Sequence, residues 1–186
     1  MPRFIKHKNS TTLYDNITVF NKIKNQQIPQ IKQITLNVSD LKLITTPNKI
    51  LDYLFLLELF TNDKPEQTRS TMNKIQIKLK KNTVIGCAVR IRAKAHYNFL
   101  EFLILYIFPQ QIKFKGFRNA SKKLPIYTFH LRDWVNIIPF NTTLKNVHEI
   151  LNLGQHNYGS LQITIEMKSE SFLESNFFLN SYNYPV

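Results

Sequence analysis

The segment from Lys74 to Lys94 constrains the fold more than any other part of the chain. Ile75, Ile77 and Leu79 alternate with Lys74, Gln76, Lys78 and Lys80; then Ile85, Cys87, Val89 and Ile91 alternate with Gly86, Ala88, Arg90 and Arg92. Successive side chains on a strand point to opposite faces, so each run predicts a strand with one apolar and one basic face. Lys81-Asn82-Thr83 supplies turn residues between them, and a hairpin is the economical connection. One face must bury against helices, leaving the other for solvent or a polyanion.

From Pro65 to Lys94 there are eight basic residues and one acid, Glu66, so more than half of the net charge of +13 sits in this stretch. Lysines on the outer face of a sheet also keep it soluble and discourage edge pairing. Gly86 and Ala88 beside Arg90 and Arg92 favour the polyanion: small residues let a rigid backbone approach, and guanidinium forks grip phosphates bidentately. A structured RNA fits that description. At 186 residues the chain is expected to be one domain, able to bury roughly 70% of its unfolded surface without a staple. The single cysteine, Cys87, falls on the expected apolar face and reads as a small core residue.

Met1 to Ser10 carries Arg3, Lys6 and Lys8 and reads as a loosely held arm. It has neither the Arg/Ser-rich pattern of a transit peptide nor the apolar centre of a secretory signal, so the chain is expected to be used where it is made. Thr11 or Thr12 is a candidate cap for a helix with an apolar stripe of Leu13, Ile17, Phe20 and Ile23. Pro29 starts a new element, and Ile31 to Val38 reads as a strand with Gln33, Thr35 and Asn37 on one face. On a sheet facing RNA, Asn37 offers donors and an acceptor that fix register; otherwise it is an Asn in the turn after the strand. Pro47 suits the first turn of a helix to about Phe60, with Ile50, Leu51, Leu54, Leu57 and Leu59 forming a broad apolar face.

Pro65 stops that helix. Glu66 to Asn73 reads as a polar loop carrying Thr68 and Arg69. After Lys94, His96 to Phe108 predicts a helix apolar on almost every side except Asn98 and Glu101, closed by Pro109. The apolar run Phe99 to Phe108 is broken by Glu101 and is too short to span a bilayer. Lys113-Phe-Lys-Gly-Phe-Arg118 is a second basic-aromatic patch, whose rings either stack on bases or, as expected here, pack in the core. Ile126 to Ile138 predicts a strand with Trp134 as a core anchor. Leu161 to Met167 alternates clearly enough for a half-buried strand, and Ser169 or Ser171 then caps a last helix to about Leu179.

The order of these elements resembles a known family, the bacterial and organellar form of protein five of the large ribosomal subunit. The residues that carry the likeness are Ile28-Pro29-Gln-Ile-Lys-Gln-Ile-Thr-Leu-Asn37, Lys64-Pro65, Ile85-Gly86-Cys87-Ala-Val-Arg-Ile-Arg92, Phe99-Leu100-Glu101, Pro109 with Phe114-Lys-Gly116, and Gly159-Ser-Leu-Gln-Ile-Thr-Ile165. The collinear series extends from about Ile28 to Phe178. The resemblance implies an antiparallel sheet with helices on one side and a place in the central protuberance. It also implies contacts to 5S rRNA, to large-subunit rRNA, to the P-site tRNA elbow, and across a bridge to the small-subunit head. By position Asn37 matches the family's RNA-contacting Asn, and Thr68 and Arg69 fall in the loop that points toward tRNA. Asp63 stands where a Gln usually helps hold RNA, Arg90 where a Thr is usual, and Gln76 where the loop has Gly. These departures bear on 5S rRNA, which some organellar ribosomes lack, and leave the rRNA role standing.

Other classes fit less well. His7, His96, His130, His148 and His156 have no metal-ligand spacing, the four glycines form no phosphate-cradling loop, and the twelve acids are scattered rather than clustered for a nuclease. His130 and Asp133 read as strand neighbours with a structural role. The expected helices carry few cations, against a membrane-surface protein. Phe, Tyr, Met, Ile, Asn and Lys total 84 residues against 22 for Gly, Ala, Arg and Pro, which is the mark of an A+T-rich coding genome, often an organelle's.

The expectations are therefore an α+β fold, an antiparallel sheet with helices packed mainly on one face, in one compact domain: residues 1–27 as arm and helix, 28–186 as the rRNA-binding part. The RNA-binding set is Gln33, Thr35, Asn37, Thr68, Arg69, Lys74, Lys78, Lys80, Lys81, Arg90 and Arg92. No catalytic residue, metal or cofactor is expected. The partners are large-subunit rRNA, 5S rRNA where present, P-site tRNA, a small-subunit head protein and neighbouring ribosomal proteins, with no membrane span. The location is the ribosome of the mitochondrial matrix, or else a plastid or the cytoplasm of an A+T-rich organism. The alternative function is a non-ribosomal organellar RNA-binding protein.

Overall fold

A computed structural model gives the fold and describes residues 3–21, 28–92, 95–111, 118–119, 125–132, 134, 159–169, 171–182 and 184. Six strands, β1 (Gln30–Ser39), β2 (Glu66–Arg69), β3 (Val84–Ile91), β4 (Arg118–Asn119), β5 (Ile126–Leu131) and β6 (Leu161–Lys168), form one sheet in the order β2-β3-β1-β6-β5-β4. β2 runs antiparallel to β3, and β4 to β5. Among the described residues five α-helices, α1 (Arg3–His7), α2 (Leu13–Phe20), α3 (Ile50–Thr61), α4 (His96–Phe102) and α5 (Phe172–Asn180), give the expected α+β architecture.

Period-two patterning accounts for the longer strands. Cys87, Val89 and Ile91 on β3, Tyr127, Phe129 and Leu131 on β5, and Leu161, Ile163, Ile165 and Met167 on β6 are buried, and the residues between the β5 and β6 sets are at least partly open to solvent. On β1 the buried set is Ile34, Leu36 and Val38, but the phase slips once before it: Ile31 is also buried, with Lys32 exposed and Gln33 half-buried between them.

The chain forms two compact units. The first comprises Met1–Ile34, Ile91–Phe129 and Thr164–Val186. Here the N-terminal stretch is not the loose arm that its basic composition suggests. α1 begins at Arg3 and passes through a π-helical turn, Lys8–Thr12, into α2. Phe4 and His7 pack their rings against Tyr182, at centroid distances of 5.1 and 5.3 Å. Because the helix does not start at Thr12, that residue has helical dihedrals and no side-chain capping bond. A π turn also rotates the following face, and so Asn16 is buried, donating to Thr12 O at 2.6 Å, while Ile17 of the expected stripe is exposed. Ile23 lies outside the described residues.

After α4 the helix continues through a π-helical stretch, Leu103–Ile107, and a 3-10 turn, Phe108–Gln110, that holds Pro109. Its buried side is His96, Phe99, Leu100, Leu103 and Ile107, but Leu105 and Tyr106 are exposed, so the helix is not covered all round. Of the two candidate caps for the last helix, Ser169 and Ser171, it is Ser171 that caps, its hydroxyl accepting the Glu174 N–H at 3.3 Å. Tyr184 OH donates to Leu100 O at 3.1 Å, and Phe108 meets both Phe129 and Tyr184 edge-on.

The second unit comprises Thr35–Arg90 and His130–Ile163. A 3-10 turn at Pro47–Lys49 leads into α3 as the proline predicts. The face that α3 buries is Ile50, Tyr53, Leu56, Leu57 and Phe60, whereas Leu51, expected inside, is exposed. Trp134 is fully buried, meets Phe60 edge-on, and donates Nε1–H to Gly159 O at 3.0 Å. The expected extension of this strand to Ile138 lies outside the described residues.

Candidate nucleic-acid interface

The basic stretch is built differently from the expected hairpin. β3 pairs with β2, in the register Glu66 opposite Ala88, Gln67 opposite Cys87 and Thr68 opposite Gly86, with a bulge before Arg69 opposite Val84. The first half of the segment expected as a polar loop, Glu66–Arg69, is thus an edge strand, while Ser70 to Asn73 remain in the loop. Lys74 to Lys80 is not a strand: it keeps a single bridge, Lys74 to Leu79, around a 3-10 turn at Ile75–Ile77. Alternation is necessary for a half-buried strand but does not compel one. Lys78 takes a left-handed backbone, φ 53°, outside the strand region, and Ile75 and Ile77 lie outside the core.

The loop between β2 and β3 is nevertheless held by named bonds. Ser70 is buried; its N–H donates to Thr83 O at 3.0 Å, its Oγ donates to Lys80 O at 2.5 Å, and its carbonyl accepts the Asn82 N–H at 3.0 Å. Beyond this rung Lys74 and Leu79 exchange N–H to O bonds of 2.9 and 3.0 Å. Asn73 Oδ1 accepts the Lys81 N–H at 2.6 Å, and Thr83 Oγ1 donates to Lys80 O at 2.8 Å. The polar residues of this stretch, Ser70, Asn73, Asn82 and Thr83, therefore pin a two-tier loop. In the sequence these residues present only a polar loop and a separate turn; the bonds that join the two are non-local.

That frame presents cations. Arg69, Lys74, Lys78, Lys80, Lys81 and Arg90 are exposed, and none forms an ion pair with a described residue. Two ion pairs among the described residues, Lys32 with Glu166 at 3.1 Å and Arg3 with Glu101 at 3.8 Å, lie elsewhere. Lysines that merely solubilise a sheet face would stand on a strand; four of these stand on a loop tip. Thr68 is half-buried on β2. Thr35, half-buried, and Asn37, exposed, stand on β1, the neighbour of β3, and the Asn37 amide has no partner among the described residues. Nine of the eleven expected residues thus belong to the second unit; Gln33 and Arg92 belong to the first.

Gly86 has a structural reason for being glycine. A Cβ there would stand 2.1 Å from Val38 O and 3.0 Å from Ser39 Cα, so it is the end of β1, not an RNA backbone, that requires the missing side chain. Gly159 is confined in the same way, with Ser39 O 2.6 Å from its would-be Cβ. Cys87 is buried and its thiol is pushed up to about 12 by desolvation, which makes it a core residue rather than a nucleophile. Among the described residues no three His, Cys, Asp or Glu side chains gather as a metal site, and no helix is long and apolar enough to cross a membrane. The basic-aromatic patch from Lys113 to Phe117 lies outside the described residues.

No protein-family model matches the chain. Among curated proteins it is similar to the large ribosomal subunit protein uL5m of Reclinomonas americana, with 31% identity over 116 residues, taking in 62% of this chain and 64% of that protein. The chain therefore spans slightly less than two thirds of that relative's length. This similarity agrees with the family likeness read from the sequence.

Proposed function

We propose that this chain, a relative of the mitochondrial-type uL5 proteins, is a non-enzymatic constituent of the large subunit of a mitochondrial ribosome. The observation that carries the reading is the group of exposed cations, without ion pairs among the described residues, held on the β2–β3 loop by the Ser70 and Lys74–Leu79 rungs. Lys and Arg there neutralise rRNA phosphates and release counterions, while Thr35, Asn37 and Thr68 fix register through sugar and phosphate contacts. The finer reading follows the family: a position in the central protuberance, contact with 5S rRNA where the ribosome has it, approach of the β2–β3 loop to the P-site tRNA, and a bridge to a small-subunit head protein, all in the mitochondrial matrix.

The test is sedimentation of tagged chain through gradients of mitochondrial lysate. Co-migration with large subunits that persists through a moderate salt wash is expected. Recovery with other RNA–protein particles, and none with the large subunit, would establish the alternative of a non-ribosomal RNA-binding protein.

A further inference from the structure

The loop that carries the lysines also carries apolar side chains that nothing in its own unit covers. Ile75 is 93% exposed, Met72 68% and Ile77 41%. A soluble surface has scattered apolar residues, but an isoleucine almost wholly in water at the tip of a bonded loop is a different matter. Its backbone is fixed on both sides, by the Lys74–Leu79 exchange and by the Lys78 N–H donating to Ile75 O at 3.0 Å. Docking such a side chain costs little conformational entropy and returns its burial energy to the complex. Lys74 and Lys78 flank it, with Lys80 and Lys81 behind.

The partner that complements this tip is a flat apolar surface framed by negative charge. A continuous RNA duplex offers phosphates and groove edges, with every base face stacked away. A folded RNA with an unstacked base, or a base pair ending a stack, offers both. A lipid surface also combines charge with apolar matter, but interfacial anchors are typically aromatic, and this tip has only Met and Ile. Resting on the ribosomal reading above, we propose that Ile75 is the specificity-determining contact of this loop: it lies against an exposed nucleobase face of a folded RNA while the four lysines hold the surrounding phosphates.

The experiment titrates the full chain, as wild type, Ile75→Ser and Ile75→Phe, against an unmodified tRNA transcript, a continuous RNA duplex of equal nucleotide count, and cardiolipin–phosphatidylcholine vesicles, all at one fixed salt concentration. Ile75→Ser is expected to weaken tRNA binding by about five- to tenfold, and to leave duplex affinity, salt slope and melting temperature unchanged. Ile75→Phe is expected to retain tRNA affinity. Equal tRNA affinity of wild type and Ile75→Ser, equal losses on tRNA and duplex, or a loss confined to vesicles would each overturn the proposal. In those cases, wild-type RNA binding with steep salt dependence would leave the ribosomal reading intact. A wild-type chain that binds neither RNA would remove both.

Discussion

The Tyr53 hydroxyl donates to Asp40 Oδ2 at 2.6 Å, thirteen residues back along the chain, and accepts the Gly159 N–H at 3.1 Å. Asp40 Oδ1 in turn accepts the Lys42 N–H at 2.9 Å, so one carboxylate fixes both the end of β1 and the start of the 3-10 turn at Leu41–Ile44. Tyr53→Phe keeps the ring and strands a carboxylate oxygen and an amide. A loss of about 1–3 kcal/mol in urea unfolding is expected. An unchanged midpoint would mean that water replaces the hydroxyl on both partners.

The same strand end makes a sharper demand on Gly86. Adding a methyl group places it against backbone, Val38 O and Ser39 Cα, rather than against a side chain that can swing aside. Gly86→Ala is therefore expected to cost about 3 kcal/mol or more with no RNA present. If this variant melted like wild type and lost only RNA affinity, the glycine would serve the ligand after all.

How much of this was legible beforehand depended on whether a pattern had one physical solution. Leu161 to Met167 alternates without interruption and forms a strand as expected; of the two serines before the last apolar run, Ser169 and Ser171, the structure selects Ser171. On α3 nearly every residue is apolar, so periodicity could not separate exposed Leu51 from buried Tyr53. The Ile/Lys alternation at Lys74–Lys80 fits a strand and a loop tip equally. What decided between them was the pairing of Glu66–Arg69 with β3, a non-local event that no local pattern reports. Gly86 showed that a small residue was needed, but not what approached it.

His96 supplies a pH test. It is buried, its Nε2–H donates to Ile91 O at 2.9 Å, and burial lowers its pKa below the ordinary 6.5, only partly offset by that bond. The unfolded chain thus binds a proton more readily than the folded one. This contribution is fully present above the ordinary value and is lost as pH falls from there through the folded pKa. Thermal unfolding across that acidic range is expected to slope less in His96→Gln, which keeps a donor for Ile91 O. Parallel slopes in the two proteins would remove His96 as the source.

The loop frame can be tested apart from its charges. Ser70→Ala deletes the donor to Lys80 O, but Thr83 Oγ1 still donates to that carbonyl, so the stability cost should be small, about 0.5–1.5 kcal/mol. Faster hydrogen exchange is expected at the amides of Lys74, Leu79 and Asn82, which close the two rungs. Unaltered exchange at all three would assign the loop's order to its backbone bonds alone.

Neutralising the tip measures what the cations do. Lys78, Lys80 and Lys81 are exposed and have no ion pair among the described residues, so changing all three to Gln should leave the melting transition cooperative and nearly unmoved. On RNA each lysine that neutralises a phosphate adds about 0.7–0.9 to the slope of log affinity against log salt. The triple variant is therefore expected to bind more weakly and to lose about 2–3 units of that slope. Wild type contacting six or more phosphates should weaken by about a thousandfold between 50 and 200 mM salt. A variant that retains the full wild-type slope would mean that the phosphates are gripped elsewhere, and the loop would then contribute shape rather than charge.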